Sequence, residues 1–273
     1  MTHSYSMGYL TANGLPPVAA IELAARLGFY EISFRLLPAG PDDSPPPLMT
    51  DDRLLAEVMA ALDAHGLTVS DAEMIRLGAE TDLESFRPFL ERVKGMGARH
   101  VLVAGDDTDR ARIIDSYGQL CEMVGEFGLT ADLEFMPWTA IRNIADAREL
   151  VEAARHPAAA ILFDCLHFDR SDSTLEELEA IPREMMNYVQ ICDGPVPYDP
   201  DGTAMMQLGR TARLVPGEGG IDLTAIAARL PADIPISVEV PNHALRDEIG
   251  AEELVRRCLV ATRALLGEAT DSA

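Results

Sequence analysis

Six residues between positions 134 and 239 stand where short apolar runs stop: Glu134 in "LEFMPW", Asp164 and His167 in "AAILFDCLHF", Gln190 and Asp193 in "VQICDG", and Glu239 in "SVEVPN". If those runs are consecutive strands of one sheet, four neighbouring strands present an oxygen-bearing side chain near the same end. That would be a ring of oxygen ligands at the edge of a core. Each member also has a plainer reading. Asp is common just after a strand as a turn or N-cap residue, and a lone Glu or His there can be a loop ion pair or a surface group. The set matters more than its members, so the question becomes whether the elements bring these residues together.

Short apolar runs alternate with amphipathic helical patterns along the whole chain. Strands are predicted over residues 6–10, 30–36, 67–75, 100–105, 130–136, 159–164, 188–193 and 235–240. Helical segments fill the gaps, among them "PPVAAIELAARLG", "DDRLLAEVMAALDAHG" and "GAEELVRRCLVATRALLG", punctuated by Pro at the start or Gly at the end. About eight β/α units in this length predict an α/β fold of the (β/α)8 TIM-barrel type. It reads as a single domain over residues 1–273, with the barrel at about 6–267 and a short C-terminal tail. No Gly-rich dinucleotide fingerprint follows the first strand, which weighs against an open, doubly wound sheet. Two connections are long: the Pro-rich "LLPAGPDDSPPPLMT", expected to be irregular, and the segment from Gly194 to Gly220, expected to be a functional or disordered loop. Both leave strand C-terminal ends, the face where barrel enzymes carry their sites.

The formal net charge is −23, from 45 acidic against 22 basic residues, so long-range electrostatics repel phosphate backbones and anionic lipid. Nucleic acid and membrane are therefore poor partners. Cys121, Cys165, Cys192 and Cys258 are scattered without a C-x-x-C pair, which points to reduced thiols and a cytoplasmic setting. The N-terminal "MTHSYSMGYL" lacks the pattern of a secretory leader, and no segment approaches eighteen apolar residues in a row, so a soluble intracellular protein is expected.

With these elements in place, the chain resembles the xylose isomerase-like barrels, a superfamily that holds sugar-phosphate isomerases and epimerases, inosose dehydratases, 3-dehydroshikimate dehydratases and a branch of AP endonucleases. The resemblance spans nearly the whole chain. It is carried by Glu134 in "LEF", the D-x-x-H pair Asp164 and His167, "VQICDG", the "RLVPGEGGID" segment from Arg213 to Asp222, and Glu239 in "SVEV". It implies a divalent metal held from strands five to eight by Glu134, Asp164, Gln190 and Glu239, with His167 facing the substrate. Gln190 is a departure, since many members have His there. Three carboxylates and an amide oxygen form an all-oxygen set, which favours Mg²⁺ or Mn²⁺ over Zn²⁺. The endonuclease branch needs a His-rich cluster. This chain has only His3, His65, His100, His156, His167 and His243, of which His65 and His156 fall near helix ends as surface residues.

The chemistry the resemblance implies is isomerisation or epimerisation of a small hydroxy-carbonyl substrate, such as a sugar, sugar phosphate or polyol ketone, through a metal-stabilised enediolate. Glu134 and Glu239 would remove and return the proton, and His167 would hold a hydroxyl or donate a proton. Arg213 is a candidate for a substrate carboxylate or phosphate, with Arg35, Arg76 and Arg210 behind it, and Trp138 a wall for stacking on a sugar face. A dehydratase of the 3-dehydroshikimate or inosose type would use the same enolate and expel a β-hydroxyl. A barrel that binds its ligand without turnover is a third reading, and a homo-oligomer is compatible with all three.

Overall fold

Eight short runs of buried residues become eight strands because each has to be covered on two sides, by helices outside and by the other strands' side chains inside. The computed structural model describes residues 3–12, 14–38, 40 and 46–268. The C-terminal tail beyond 268, part of the first Pro-rich connection and the first two residues of the N-terminus lie outside them.

The strands are β1 Tyr5–Met7, β2 Glu31–Arg35, β3 Thr68–Leu77, β4 His100–Gly105, β5 Thr130–Glu134, β6 Ala159–Asp164, β7 Val189–Ile191 and β8 Ile236–Val238. They form a closed parallel barrel in sequence order, with β1 returning to pair with β8 through Tyr5 opposite Ile236 and Met7 opposite Val238. The eight strands expected from the sequence are all present, several of them a residue or two shorter at their ends. Glu239 consequently sits just past β8. The helices are α1 Pro17–Leu27, α2 Pro47–Thr50, α3 Asp52–His65, α4 Arg87–Gly95, α5 Arg110–Glu126, α6 Ile144–Ala154, α7 Cys165–Arg170, α8 Leu175–Glu179, α9 Gly202–Thr211, α10 Leu223–Ala227, α11 His243–Ile249 and α12 Ala251–Leu265.

Local chemistry sets the helix ends. Pro17 opens α1 and Gly28, at φ 81°, closes it in the left-handed region open to glycine. Asp51 caps α3 by accepting from the backbone N–H groups of Arg53 and Leu54, and Thr174 with Glu177 forms a capping box on α8. The segment from Gly194 to Gly220, expected to lack regular structure, instead carries α9. Its N-cap is Asp201, whose side chain accepts from Thr203 and Ala204. "DPDGTA" reads as a turn until the capping geometry shows it to be a helix start.

The main apolar core lies between the sheet and the helices, and all four cysteines are buried and unpaired. Inside the barrel the packing is different. Leu102, Leu162 and Tyr188, with Met74 against them, form a separate small apolar cluster. Polar groups gather beside and below this cluster: His100, two positions before Leu102, places Nδ1 3.6 Å from Asp132, Asn187 donates to Asp132, and Asp71 takes a hydrogen bond from Ser70 Oγ at 2.6 Å. Two positions after Met74, Leu162 and Tyr188 stand Arg76, Asp164 and Gln190, at the opposite, C-terminal end of the strands. The barrel thus has a polar floor, a thin apolar plug and a polar top. No described helix is long and apolar enough to cross a membrane.

Asp71 is fully buried, and burial, followed by the charge of Glu73, pushes its carboxyl well above the ordinary range against the hydrogen bond from Ser70. A carboxyl raised in the folded state binds its proton more tightly than in the unfolded chain, so wild-type stability falls as pH rises from the unfolded value through the folded one. Asp71→Asn removes that dependence. Its melting temperature should gain on the wild type as pH is raised from about 4 to 7. Parallel melting curves for the two proteins over that range would show that the floor carboxyl carries no such penalty.

Candidate active site

Each site residue sits where a strand ends. Glu134 is the last residue of β5 and Asp164 the last of β6; Gln190 pairs in register with Asp164 on one side and Ser237 on the other. Glu239 follows β8, its N–H donating to Ile191 O. Gly8 makes room for it: a Cβ there would stand 2.9 Å from Val238 O and 3.1 Å from Glu239 Cβ. Arg35, Arg76, Glu134, Trp138, His167, Arg210, Arg213 and Glu239 line one cavity of about 60 Å³, and Asp164 and Gln190 are buried. The structure therefore brings the expected residues to one end of the barrel.

Asp164 answers to both readings of its position. Its Oδ1 caps α7, accepting from Leu166 N at 2.7 Å and His167 N at 3.1 Å, while Oδ2 accepts from Arg213 Nη1 at 2.6 Å. Burial pushes its carboxyl up, but Arg213, then His167 and these hydrogen bonds, hold it below the ordinary value. His167 is 2 % exposed, which excludes an ordinary surface histidine. Its Nε2 lies 3.4 Å from Glu134 Oε1, its ring meets Trp138 edge to face at 4.8 Å, and its Nδ1 has no hydrogen-bond partner among the described residues.

Arg213 is more deeply committed than a ligand-facing arginine would need to be. It is 3 % exposed, donates through Nε to Gly209 O at 2.7 Å, and places Nη2 3.4 Å from Glu239 Oε2. Burial works against its charge, yet Asp164, and after it Glu239, hold its proton well beyond the ordinary arginine range. Glu239 is raised well above the usual carboxylate value by burial, with Glu73 and Glu134 adding to it and Arg213 opposing. The Cys192 thiol beside Arg213 is pushed up to about 12 by burial, so it contributes no negative charge.

The sequence reading missed Glu73. It is 2 % exposed, stands opposite Arg35 in the β2–β3 register, and accepts from Arg35 Nη2 at 2.6 Å. Burial raises its carboxyl despite Arg35. Arg35 Nε and Glu73 Oε1 are both buried without a partner among the described residues, leaving one donor and one acceptor at the cavity. An acid alternating with apolar residues in "SDAEMI" was the available signal. Arg76 is held differently, by a bidentate pair with Asp106 at 2.7 and 2.8 Å. Arg210, on α9, is exposed where it borders the cavity.

Asp193 lies at the same strand end but faces another task. Its Oδ1 accepts from the N–H groups of Gly194 and Ile221, and its Oδ2 from those of Gly217 and Gly219. The "PGEGGI" segment is wrapped around this carboxylate, and a Cβ at Gly219 would run into it. The segment is thus an anchor for the end of the α9 connection, and Arg213 enters the site from that same anchored stretch.

Donor atoms of Glu134, Asp164 and His167 lie within 4.8 Å of one another, close enough for one metal ion, and Gln190 Oε1 is a buried oxygen with no partner among the described residues. These residues fit a divalent cation, with an imidazole nitrogen standing among the oxygens expected from sequence. Among the described residues, Glu73 pairs with Arg35, Asp164 and Glu239 share Arg213, and Glu134 stands beside His167, so four buried carboxyls share two paired guanidinium groups and the site has room for a further cation or for protons.

Residues 21–259 match the family described as the xylose isomerase-like TIM barrel. A curated relative, the inosose isomerase of Bacillus licheniformis, is 24% identical over 190 residues, which is 64% of this chain and 65% of that protein, so the match spans just under two thirds of the relative's length. Among solved structures, the IolI protein with a bound zinc atom aligns at TM-score 0.79 and 18% identity, over 98% of this chain and all of that one. The probable 3-DHS dehydratase AsbF of Bacillus anthracis aligns at TM-score 0.74 and 16% identity, covering 92% of this chain and 97% of its own. Two of these relatives are named for enzyme activities, an isomerase and a probable dehydratase. With the closed barrel and a family match over most of its length, the chain belongs to the xylose isomerase-like TIM-barrel family.

Proposed function

We propose that this barrel is an isomerase or epimerase of a small polyhydroxylated ketone, a sugar, sugar phosphate or keto-polyol, working by proton transfer next to the carbonyl. The observation that carries the reading is that Glu134, from the end of β5, and Glu239, from the end of β8, reach one cavity from different sides of the barrel. One carboxylate removes the α-proton and the other returns it, which needs two bases on opposite faces of a planar intermediate. Mg²⁺ or Mn²⁺ held by Glu134, Asp164, Gln190 and Glu239 would supply a Lewis acid for the carbonyl and the neighbouring hydroxyl. His167, beside Glu134, positions a hydroxyl and moves its proton. Arg35 and Glu73 offer their free donor and acceptor to hydroxyls further along the chain of the substrate, and Trp138 closes one wall. Arg76, Arg210 and Arg213 are candidates for a terminal anionic group, with Arg210 best placed because α9 carries it to the rim. The protein would act as a single-domain enzyme, in the cytoplasm, on a small molecule.

A dehydratase reading draws on one observation. His167 Nε2, 3.4 Å from Glu134, stands where a proton could be handed to a leaving β-hydroxyl. The two outcomes separate on incubation in D₂O with ketoses, keto-inositols and 3-dehydroshikimate. Deuterium at the α-carbon with altered stereochemistry supports isomerisation or epimerisation, and a new conjugated ultraviolet band supports dehydration. Binding with neither exchange nor elimination on any of these would reduce the barrel to a ligand binder.

On the true substrate, Glu134→Gln and Glu239→Gln should each lower kcat by on the order of 10²–10⁴-fold. His167→Ala should cost about 10²-fold or more in kcat with metal content intact by elemental analysis, and wild-type turnover in that variant would remove it from the chemistry. Gln190→His, by replacing an amide oxygen with an imidazole nitrogen, should shift relative affinity toward Co²⁺ and Zn²⁺ in competition titrations. An unchanged metal order would take Gln190 out of the ligand set.

A further inference from the structure

We propose that Arg213 is a built-in competitor for the divalent cation: its guanidinium holds the carboxylates of Asp164 and Glu239, so metal binds only as far as it draws those carboxylates away from Arg213. The inference rests on reading Asp164 and Glu239 as cation ligands. Asp164 has one oxygen committed to the N-terminus of α7, through Leu166 N and His167 N, so Oδ2 alone is left to meet a cation. Oδ2 already accepts from Arg213 Nη1 at 2.6 Å. Glu239 Oε2 faces Nη2 of the same guanidinium at 3.4 Å. A charge of +1 fixed against both carboxylates weakens their pull on a second cation and repels it directly, and in a site this buried neither effect is screened by solvent.

The guanidinium is held in place from behind. Nε donates to Gly209 O, the backbone N–H donates to Pro241 O, and the backbone O accepts from Asn242 Nδ2. Gly209 belongs to α9 and packs under the indole of Trp138, where a Cβ would meet Trp138 Cη2 at 3.2 Å. Arg213 therefore links the carboxylates to the helix that roofs the cavity. Metal binding that pulls Asp164 from Arg213 loosens the same side chain's hold on α9, and Trp138 is the only tryptophan in the chain, so its emission reports that change.

The test is Mn²⁺ titration of the purified full-length wild type, Arg213→Met and Arg213→Lys, with free Mn²⁺ read by electron paramagnetic resonance, alongside Trp138 emission on adding Mg²⁺. Arg213→Met should bind Mn²⁺ at least about tenfold more tightly than wild type, and Arg213→Lys, which keeps the charge but loses the fork that spans two carboxylates, should fall between them. Trp138 emission should shift with Mg²⁺ in the wild type and much less in Arg213→Met, where the link to α9 is already gone. Equal or weaker Mn²⁺ binding in Arg213→Met, with measurable binding in the wild type, overturns the competition and leaves the metal site standing. No binding in any of the three overturns the metal site and the competition together. If Arg213→Met does not fold, Arg213→Lys and the wild-type emission decide: unchanged affinity in the first and no shift in the second also overturn the proposal.

Discussion

Carboxylates inside a closed barrel need positive charge within a few ångströms, and the placement of that charge governs the upper half of this molecule. Asp164 and Glu239 take theirs from Arg213, and Glu73 takes its own from Arg35. Removing one partner of such a buried pair leaves an uncompensated charge, a loss of roughly 3–5 kcal/mol in comparable cases. Arg213 comes from the connection between β7 and β8, not from a strand, so the stability of the strand-end acids depends on how that connection is held. Asp193 holds it, through four backbone N–H groups. One carboxylate that faces away from the chemistry thereby fixes the cation that faces into it.

The barrel interior shows why this arrangement is affordable. The main core lies outside the sheet, where helix and strand faces meet, and it carries the apolar burial that stabilises the fold. The interior keeps only a thin apolar layer around Leu102, Leu162 and Tyr188 between its polar floor and polar top. Stability and chemistry are separated by a strand's thickness. Mutations on the inward faces of the strands should be felt as electrostatics and those on the outward faces as packing.

The fold was legible because its signal is periodic. Eight short apolar runs spaced by amphipathic stretches leave few topologies open, and β6, with its six consecutive buried residues, is as clear in sequence as in structure. The ring of strand-end residues was legible for the same reason, since a strand's last residue can be read without knowing its neighbours. What escaped was pairwise. Nothing in "RLVPGEGG" says that its arginine turns inward to Asp164, and nothing in "DAEMI" says that Glu73 meets Arg35, because both depend on which strands are adjacent and in what register. The helix α9 escaped for a local reason: its start looks like a turn until Asp201 is seen capping Thr203 and Ala204.

The connection that carries α9 is fastened at both ends and again near its close, where Gly209 meets Trp138 and accepts from Arg213 Nε. Asp193 bridges to Leu214 and Ala212 to Asn242, so the roof begins and ends at fixed points on the barrel rim. Within it Gly209 is tied to the strand-end carboxylates through Arg213, so the exposed positions of α9 have more latitude than that glycine. The cavity beneath is small, about 60 Å³, well below the roughly 300–1,000 Å³ of typical ligand pockets. On the proposed function, a sugar-sized guest has to move part of the roof to enter. In such a scaffold the exposed residues of α9, Thr203, Gln207 and Arg210 among them, can vary the outer face of the roof while Gly209 keeps the barrel's charges in place.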